Sequence, residues 1–191
     1  MSVPVRDAAT VVLLRDGADG PEVWLQQRAT TLVFAAGMHA FPGGAVDDDD
    51  AAAELGNADV AGQALVWRDD EHRTAALLAA AVRETFEECG VRLPPEQLRP
   101  WSRWITPPGL PRRFDARFFV AALPQGEQPR PLTGEVAGAS WVVVRSAVER
   151  QASGDLPMWP PTIATLLQLA AFDSVAEALA GAPTEIVAVT G

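Results

Sequence analysis

Lysine and tyrosine are both absent from this 191-residue chain, which has one Cys (Cys89) and two His (His39, His72). Without lysine there is no Schiff-base chemistry and no P-loop lysine for a nucleotide phosphate; without tyrosine there is no phenolic acid or nucleophile. A lone cysteine makes neither an internal disulfide nor a cysteine-rich zinc site. Two distant histidines make neither an HExxH pair nor a three-His zinc site. No run reaches 18 apolar residues, so no membrane span is expected. The start, Met-Ser-Val-Pro-Val-Arg-Asp, has no basic stretch leading into an apolar run, so no secretory signal is read and a soluble, cytoplasmic protein is expected. Positive charge is scarce: 15 basic side chains, all arginine, face 25 acidic ones and leave −10. Phosphate neutralisation by a nucleic-acid binder needs the opposite balance. Carboxylates, arginines and a borrowed cation are what remain for hard chemistry.

Apolar residues make up 48% of the chain, enough for one compact domain over residues 1–191 and too few in total for two. Residues 5–14 read as a strand with Arg15-Asp16-Gly17 as its turn, and residues 22–28 alternate like the second arm of a hairpin. Residues 29–40 read as a loop, followed by a sharp glycine segment, Phe41-Pro42-Gly43-Gly44. Residues 51–72 lack a strong period and read as an insertion with at most one short helix, dispensable for folding. Acidic Asp69-Asp70-Glu71 suits a helix N-terminus, and a helix over about 73–89 stops at Gly90. Strands follow at 101–106, 113–123 and 139–144, then a short helix near 146–151. Pro160-Pro161 opens a last helix whose apolar period runs over 163–172. Strands interleaved with helices imply an α/β (α+β) fold with a mixed sheet covered on both faces.

The 73–89 helix carries the informative residues. At 100° per residue, Glu84, Glu87 and Glu88 share about 100° of arc. Ala75, Leu78, Ala79, Val82, Phe86 and Cys89 form the expected core stripe, with the carboxylates pointing the other way. Like charges at this spacing repel by a few tenths of a kcal/mol per pair, and the helix C-terminus prefers cations. A hard divalent cation would relieve both conflicts; a solvated acidic face is the plain alternative. Asp47–Asp50 lack the spacing of a calcium loop and read as a solvated turn. Cys89, on the core stripe, reads as inert packing, and His39 lies just ahead of the glycine segment.

Phe41-Pro42-Gly43-Gly44 together with Arg83-Glu84-Thr85-Phe86-Glu87-Glu88-Cys89-Gly90-Val91 resembles the box of the Nudix hydrolases. The family pattern is G-x₅-E-x₇-R-E-U-x-E-E-x-G-U, U being bulky and apolar. Asp50 stands at the first acidic position after Gly44, about 25 residues are inserted before Arg83, and Thr85 occupies the first U. The long insertion, Trp101–Thr106, Arg112-Arg113-Phe114-Asp115 and Met158–Thr162 are similar to the nudix-19-like CoA diphosphatase branch. Leu25-Gln26-Gln27-Arg28 and Gly37-x₃-FPGG partly match the signature flanking the box in CoA-cleaving members; where that signature has a further arginine, this chain has Val33.

The resemblance implies the Nudix fold, a mixed sheet between helices, and hydrolysis of a diphosphate linked to another moiety. CoA or an acyl-CoA is the leading substrate; ADP-ribose and NADH are alternatives, and a non-catalytic Nudix-fold sensor is the alternative of another class. It implies Mg²⁺ or Mn²⁺ held by Glu84, Glu87, Glu88 and the Gly43 carbonyl, with Arg83 holding a glutamate in place. Glu135 matches the downstream position of a fourth ligand or base. Gly44 and the arginines Arg28, Arg112, Arg113 and Arg117 are the candidate substrate contacts, since arginine is the only cation present and guanidinium suits phosphate; solvated edge charges are the alternative for Arg112, Arg113 and Arg117. The partner implied is a small nucleoside diphosphate derivative, with neither nucleic acid nor membrane, and a homodimer is one assembly it admits.

Overall fold

The computed structural model describes residues 3–30 and 36–190. It opens with β1 (Val5–Gly17) and β2 (Gly20–Arg28), an antiparallel hairpin in register from Leu14↔Val23 to Gly17↔Gly20. The strand runs through the expected turn, and the reversal falls at residues 18–19. Two short strands follow, β3 (His39–Ala40) and β4 (Gly43–Ala45). Helices α1 (Val60–Trp67) and α2 (Glu71–Cys89) lead into β5 (Arg99–Ile105), β6 (Arg113–Ala122) and β7 (Val136–Val143). The chain ends in α3 (Val144–Ala152), α4 (Pro160–Leu169), α5 (Val175–Ala180) and β8 (Val189–Thr190).

The sheet order is β3-β2-β1-β6-β5-β8, with β4 on β1 and β7 on β2. β1 and β6 are parallel from Val5↔Arg113 to Leu14↔Ala122. Such a pair needs a crossover that covers the sheet, and α2 supplies it. This also explains the unbroken Val11-Val12-Leu13-Leu14 run: a central strand is buried on both faces. Val11 and Leu13 meet α1 and α2 on one side, while Val12 and Leu14 meet α3, α4 and α5 on the other. Among the described residues no helix is long and apolar enough to cross a membrane.

Two expectations need correction. Trp67, inside the presumed surface insertion, is fully buried and packs edge-on against Phe119 with ring centroids 5.3 Å apart. The Gln63 amide donates to the Leu98 carbonyl at 3.1 Å, and the Ile186 N–H to the Val66 carbonyl at 2.9 Å. α1 is therefore part of the packing and not a dispensable excursion.

α2 begins and ends as its capping residues predict: the Asp70 side chain accepts from the Arg73 N–H, and Gly90 is left-handed. Its buried face differs from the expected one. Thr74, the whole of residues 76–81, Thr85 and Cys89 are buried, so Leu78, Ala79 and Cys89 of the expected stripe are in the core, whereas Phe86 is 44% exposed and Ala75 and Val82 are half-buried. In the last turns, where only one side is buried, that side is turned by roughly 100°, one residue step, from Phe86 to Thr85. The cause is two threonines that hydrophobicity alone leaves out. Thr74 and Thr85 are buried because their hydroxyls donate to the carbonyls of Asp70 and Ala81, at 2.9 and 2.7 Å. Side-chain bonds one turn back along a helix satisfy such groups inside a core.

Candidate active site

That rotation changes where the glutamates face. Glu88 borders the buried side, Glu84 comes next and Glu87 is outermost, its side chain 54% exposed against 16% for Glu84. The inner two do not point away from the domain, as the sequence suggested, but toward β4. β4 pairs with β1 from Ala8↔Ala45 to Thr10↔Gly43, directly under the last turns of α2.

Both glycines of the turn are forced by their surroundings. A Cβ on Gly43 would lie 2.4 Å from the Ala9 carbonyl oxygen and 2.7 Å from Thr10 Cα. A Cβ on Gly44 would lie 2.3 Å from Glu84 Oε1. The Gly43 N–H donates to Glu88 Oε2 at 3.2 Å, so the glycine segment and the helix meet through a carboxylate.

The electrostatics follow from the burial order. Burial is the main cause that pushes the Glu88 carboxyl up to about 7, with the Glu84 and Glu135 charges adding; the Gly43 N–H and Arg28 work against it. Burial also raises Glu84, and Arg83 opposes the shift. Arg83 is itself clamped. Its Nε and Nη2 donate to the two oxygens of Asp50 at 2.9 and 2.8 Å, Nη2 also to the Ala45 carbonyl at 3.0 Å, and Nη1 to Glu84 Oε1 at 2.8 Å. The planar fork of guanidinium is made for such two-point bonding.

Asp50 therefore belongs to the site, and its reading as part of a solvated turn is corrected. It is 6% exposed, and its second oxygen also accepts from the Asp47 N–H at 2.8 Å. Burial alone would raise its carboxyl, but the Arg83 bonds hold it below the usual carboxylate range. The signal for it was its count of six from Gly44, and only its partner was missing.

Glu135 reaches the same place from another direction. Its carbonyl accepts from the Ala29 N–H at 2.7 Å, next to Arg28, and its carboxylate stands 4.0 Å from the Arg28 guanidinium. Arg28 Nε is buried without a hydrogen-bond partner. Val33 lies outside the described residues.

The other arginines are placed elsewhere. Arg117 is fully buried, and its role as a substrate contact is corrected. With Arg73 and Arg103 it forms a neutral six-charge network against Asp7, Asp69 and Asp115. Arg113 donates to the carbonyls of Thr106 and Val3, at 3.0 and 3.5 Å, and Arg112 is exposed. Arg113 pairs with Val5, five residues along β1 from the Gly43 partner Thr10, or about 17 Å at strand spacing. These two are not brought together with the glutamates. His39 sits on β3 opposite Gln27, its Nδ1 buried without a partner and its pKa lowered, mainly by burial. Burial pushes the Cys89 thiol up to about 12, which makes it a poor nucleophile.

The donors gathered here are all oxygens, which suits a hard cation. Among the described residues no three Asp, Glu, His or Cys side chains form a ready-made metal cage. The desolvated Glu88 is a further sign of fit, since a nearby cation would restore its charged form.

Comparison with known proteins adds four likenesses. A NUDIX domain family model matches residues 71–161. The chain is similar to a crystal structure of a NUDIX hydrolase from Alicyclobacillus acidocaldarius, with 31% identity, 95% of this chain and 98% of that one covered, and a TM-score of 0.81. It is 26% identical to the human acyl-coenzyme A diphosphatase NUDT19 over 84% of its length. A Caenorhabditis elegans protein with a nudix hydrolase name is 25% identical over 86% of this chain. The matches span 63% of the human protein and 60% of the nematode one.

Proposed function

The chain belongs to the Nudix hydrolase family, and from that membership we propose that it hydrolyses the diphosphate of CoA or an acyl-CoA with Mg²⁺ or Mn²⁺. The observation that carries the reading is Glu88 hydrogen-bonded to the Gly43 N–H and Glu84 occupying the space a side chain at Gly44 would need. The substrate half rests on the likeness to the human acyl-CoA diphosphatase.

In this reading Glu84, Glu87 and Glu88 would hold the metal, with the Gly43 carbonyl beside them, and a metal there would supply positive charge against the phosphates and make water more acidic. The chain's own residues do the rest. Asp50 fixes Arg83, and Arg83 fixes Glu84 in the rotamer that Gly44 leaves room for. The Gly43 N–H orients the Glu88 carboxylate. Arg28, whose side chain is 28% exposed, donates from its guanidinium to a phosphate oxygen. Glu135 takes the proton of the attacking water at its carboxylate, which stands beside Arg28. Positioning and electrostatics dominate phosphoryl chemistry of this kind.

The test is a panel of CoA, 3′-dephospho-CoA, ADP-ribose and NADH with Mg²⁺ or Mn²⁺, products identified by mass. Cleavage of CoA to adenosine 3′,5′-bisphosphate and phosphopantetheine is expected. Preference for ADP-ribose would replace the substrate and leave the diphosphatase chemistry standing. Binding without turnover of any of the four would favour a sensor.

A further inference from the structure

We propose that residues 130–135 are a strap whose attachment to the end of α2, through the Leu132 N–H, sets where the Glu135 carboxylate stands. The inference rests on the role given to Glu135 above and deepens it.

The last four carbonyls of a helix have no partner inside the helix. At the end of α2, two of them are taken by this strap. The Leu132 N–H donates to the Glu88 carbonyl at 2.9 Å, and the Arg130 N–H to the Cys89 carbonyl at 3.0 Å. The Leu132 side chain lies over Gly90, where an added Cβ would come 3.2 Å from Leu132 Cδ1. At its other end the strap is closed by a turn, Val136 N–H to the Thr133 carbonyl at 3.3 Å, and fastened to β2 by Ala29 N–H to the Glu135 carbonyl at 2.7 Å.

Between those fixed points little among the described residues holds the Glu135 side chain. It is 62% exposed, and its one ion pair among the described residues, with Arg28, is at the 4.0 Å limit. Side-chain packing therefore does not determine its position; the backbone does. The residue whose carbonyl anchors the strap is Glu88, whose carboxylate is part of the same site. Shortening, lengthening or releasing the strap changes the distance between the two acids. Misplacement of a reacting group by about 1 Å can cost on the order of 100-fold. Leu132 is thus a positioning residue that acts through Glu135.

The experiment is a double-mutant cycle on the full chain. Leu132→Pro removes the donor, Glu135→Gln removes the acid, and kcat and KM are measured with CoA and ADP-ribose as probes. Each single variant is expected to lower kcat by roughly 10-fold or more, with KM moving far less. The double variant is expected to be no worse than Glu135→Gln alone, because residues acting as one unit are not additive. Amide hydrogen exchange supplies a readout independent of turnover. The Leu132 and Arg130 amides of the wild type should be protected like the last turn of α2, and Leu132→Pro should expose the Ala29 amide. Multiplicative losses in the double variant, or unaltered kcat in Leu132→Pro, would overturn the strap. So would free exchange of the wild-type Leu132 amide, even if Leu132→Pro does not fold. Unchanged kcat in Glu135→Gln would instead remove the role of Glu135 itself.

Discussion

Adjacent glycines in this site are glycines for different reasons. At Gly43 the space is taken by backbone, Ala9 and Thr10 of β1, which cannot swing aside. At Gly44 it is taken by the far end of the Glu84 side chain, which can. Gly43→Ala is therefore expected to destabilise the protein by about 1–3 kcal/mol, the range for forced overpacking, measurable by chemical denaturation. Gly44→Ala should leave the melting temperature nearly unchanged and still cut kcat/KM by 10-fold or more, because Glu84 must leave Arg83. Equal losses of stability would refute the distinction. Asp50→Asn should cost about 10–100-fold in activity or metal affinity, the usual effect of removing a group that orients a metal ligand. Glu88→Gln should keep the fold and lose most turnover, and full activity there would exclude this helix face as the site. Arg83 and the three glutamates were legible in the sequence because they stand at set counts from one another, and the two glycines because they follow Phe41-Pro42, although about 25 extra residues separate the two patterns. Arg117 was misread, since an arginine at a strand start looks the same whether it faces a substrate or three aspartates.

Elements were read best where their ends are chemically marked. Asp70 and Gly90 bound α2, and Pro160-Pro161 opens α4, each by a local hydrogen-bonding or steric preference that needs no tertiary context. The face of α2 was read wrongly because Thr74 and Thr85 bury their hydroxyls against the helix's own carbonyls, a pattern that a scale of hydrophobicity counts as polar. β8 and α5 were missed for another reason. A two-residue strand and a six-residue helix carry too few residues for a period, and their partners lie far away in the chain. α1 shows what this costs in energetic terms: its pattern is weak, yet Trp67 is buried completely. Trp67→Ala should destabilise by about 3–5 kcal/mol, seen as a lower denaturation midpoint with an unchanged slope. Replacing residues 51–68 with a Gly/Ser linker should fail to give a folded product; an unshifted midpoint in Trp67→Ala, or a cooperative, native-like transition in the linker variant, would show that α1 is peripheral after all.

At the scale of the molecule, the network of Arg73, Arg103 and Arg117 with Asp7, Asp69 and Asp115 ties together α2, β1, β5, β6 and the segment leading into α2. Burial opposes ionisation of Asp115, but the Arg103 hydrogen bonds and the charges of Arg117, Arg103 and Arg73 outweigh it and hold its pKa below the ordinary value. A carboxylate lowered on folding contributes stability above its unfolded pKa, near 4, and loses it as pH falls through the folded value. Acid unfolding should therefore begin in the lower part of that window, and Asp115→Asn should flatten that limb of the stability curve. Removing the partner outright, as in Asp115→Ala, should cost about 3–5 kcal/mol at neutral pH, because three arginines are then left with two acids. The parallel pairing of β1 with β6 has a different consequence, one of time. Val5 waits for Arg113, and at about 5–20 residues per second a ribosome takes several seconds to make the chain between them. Non-local pairing of this kind also folds slowly. During that interval Val11-Val12-Leu13-Leu14 is an open strand edge available to other chains, so the segment most exposed to aggregation at birth is the one most completely buried in the finished protein.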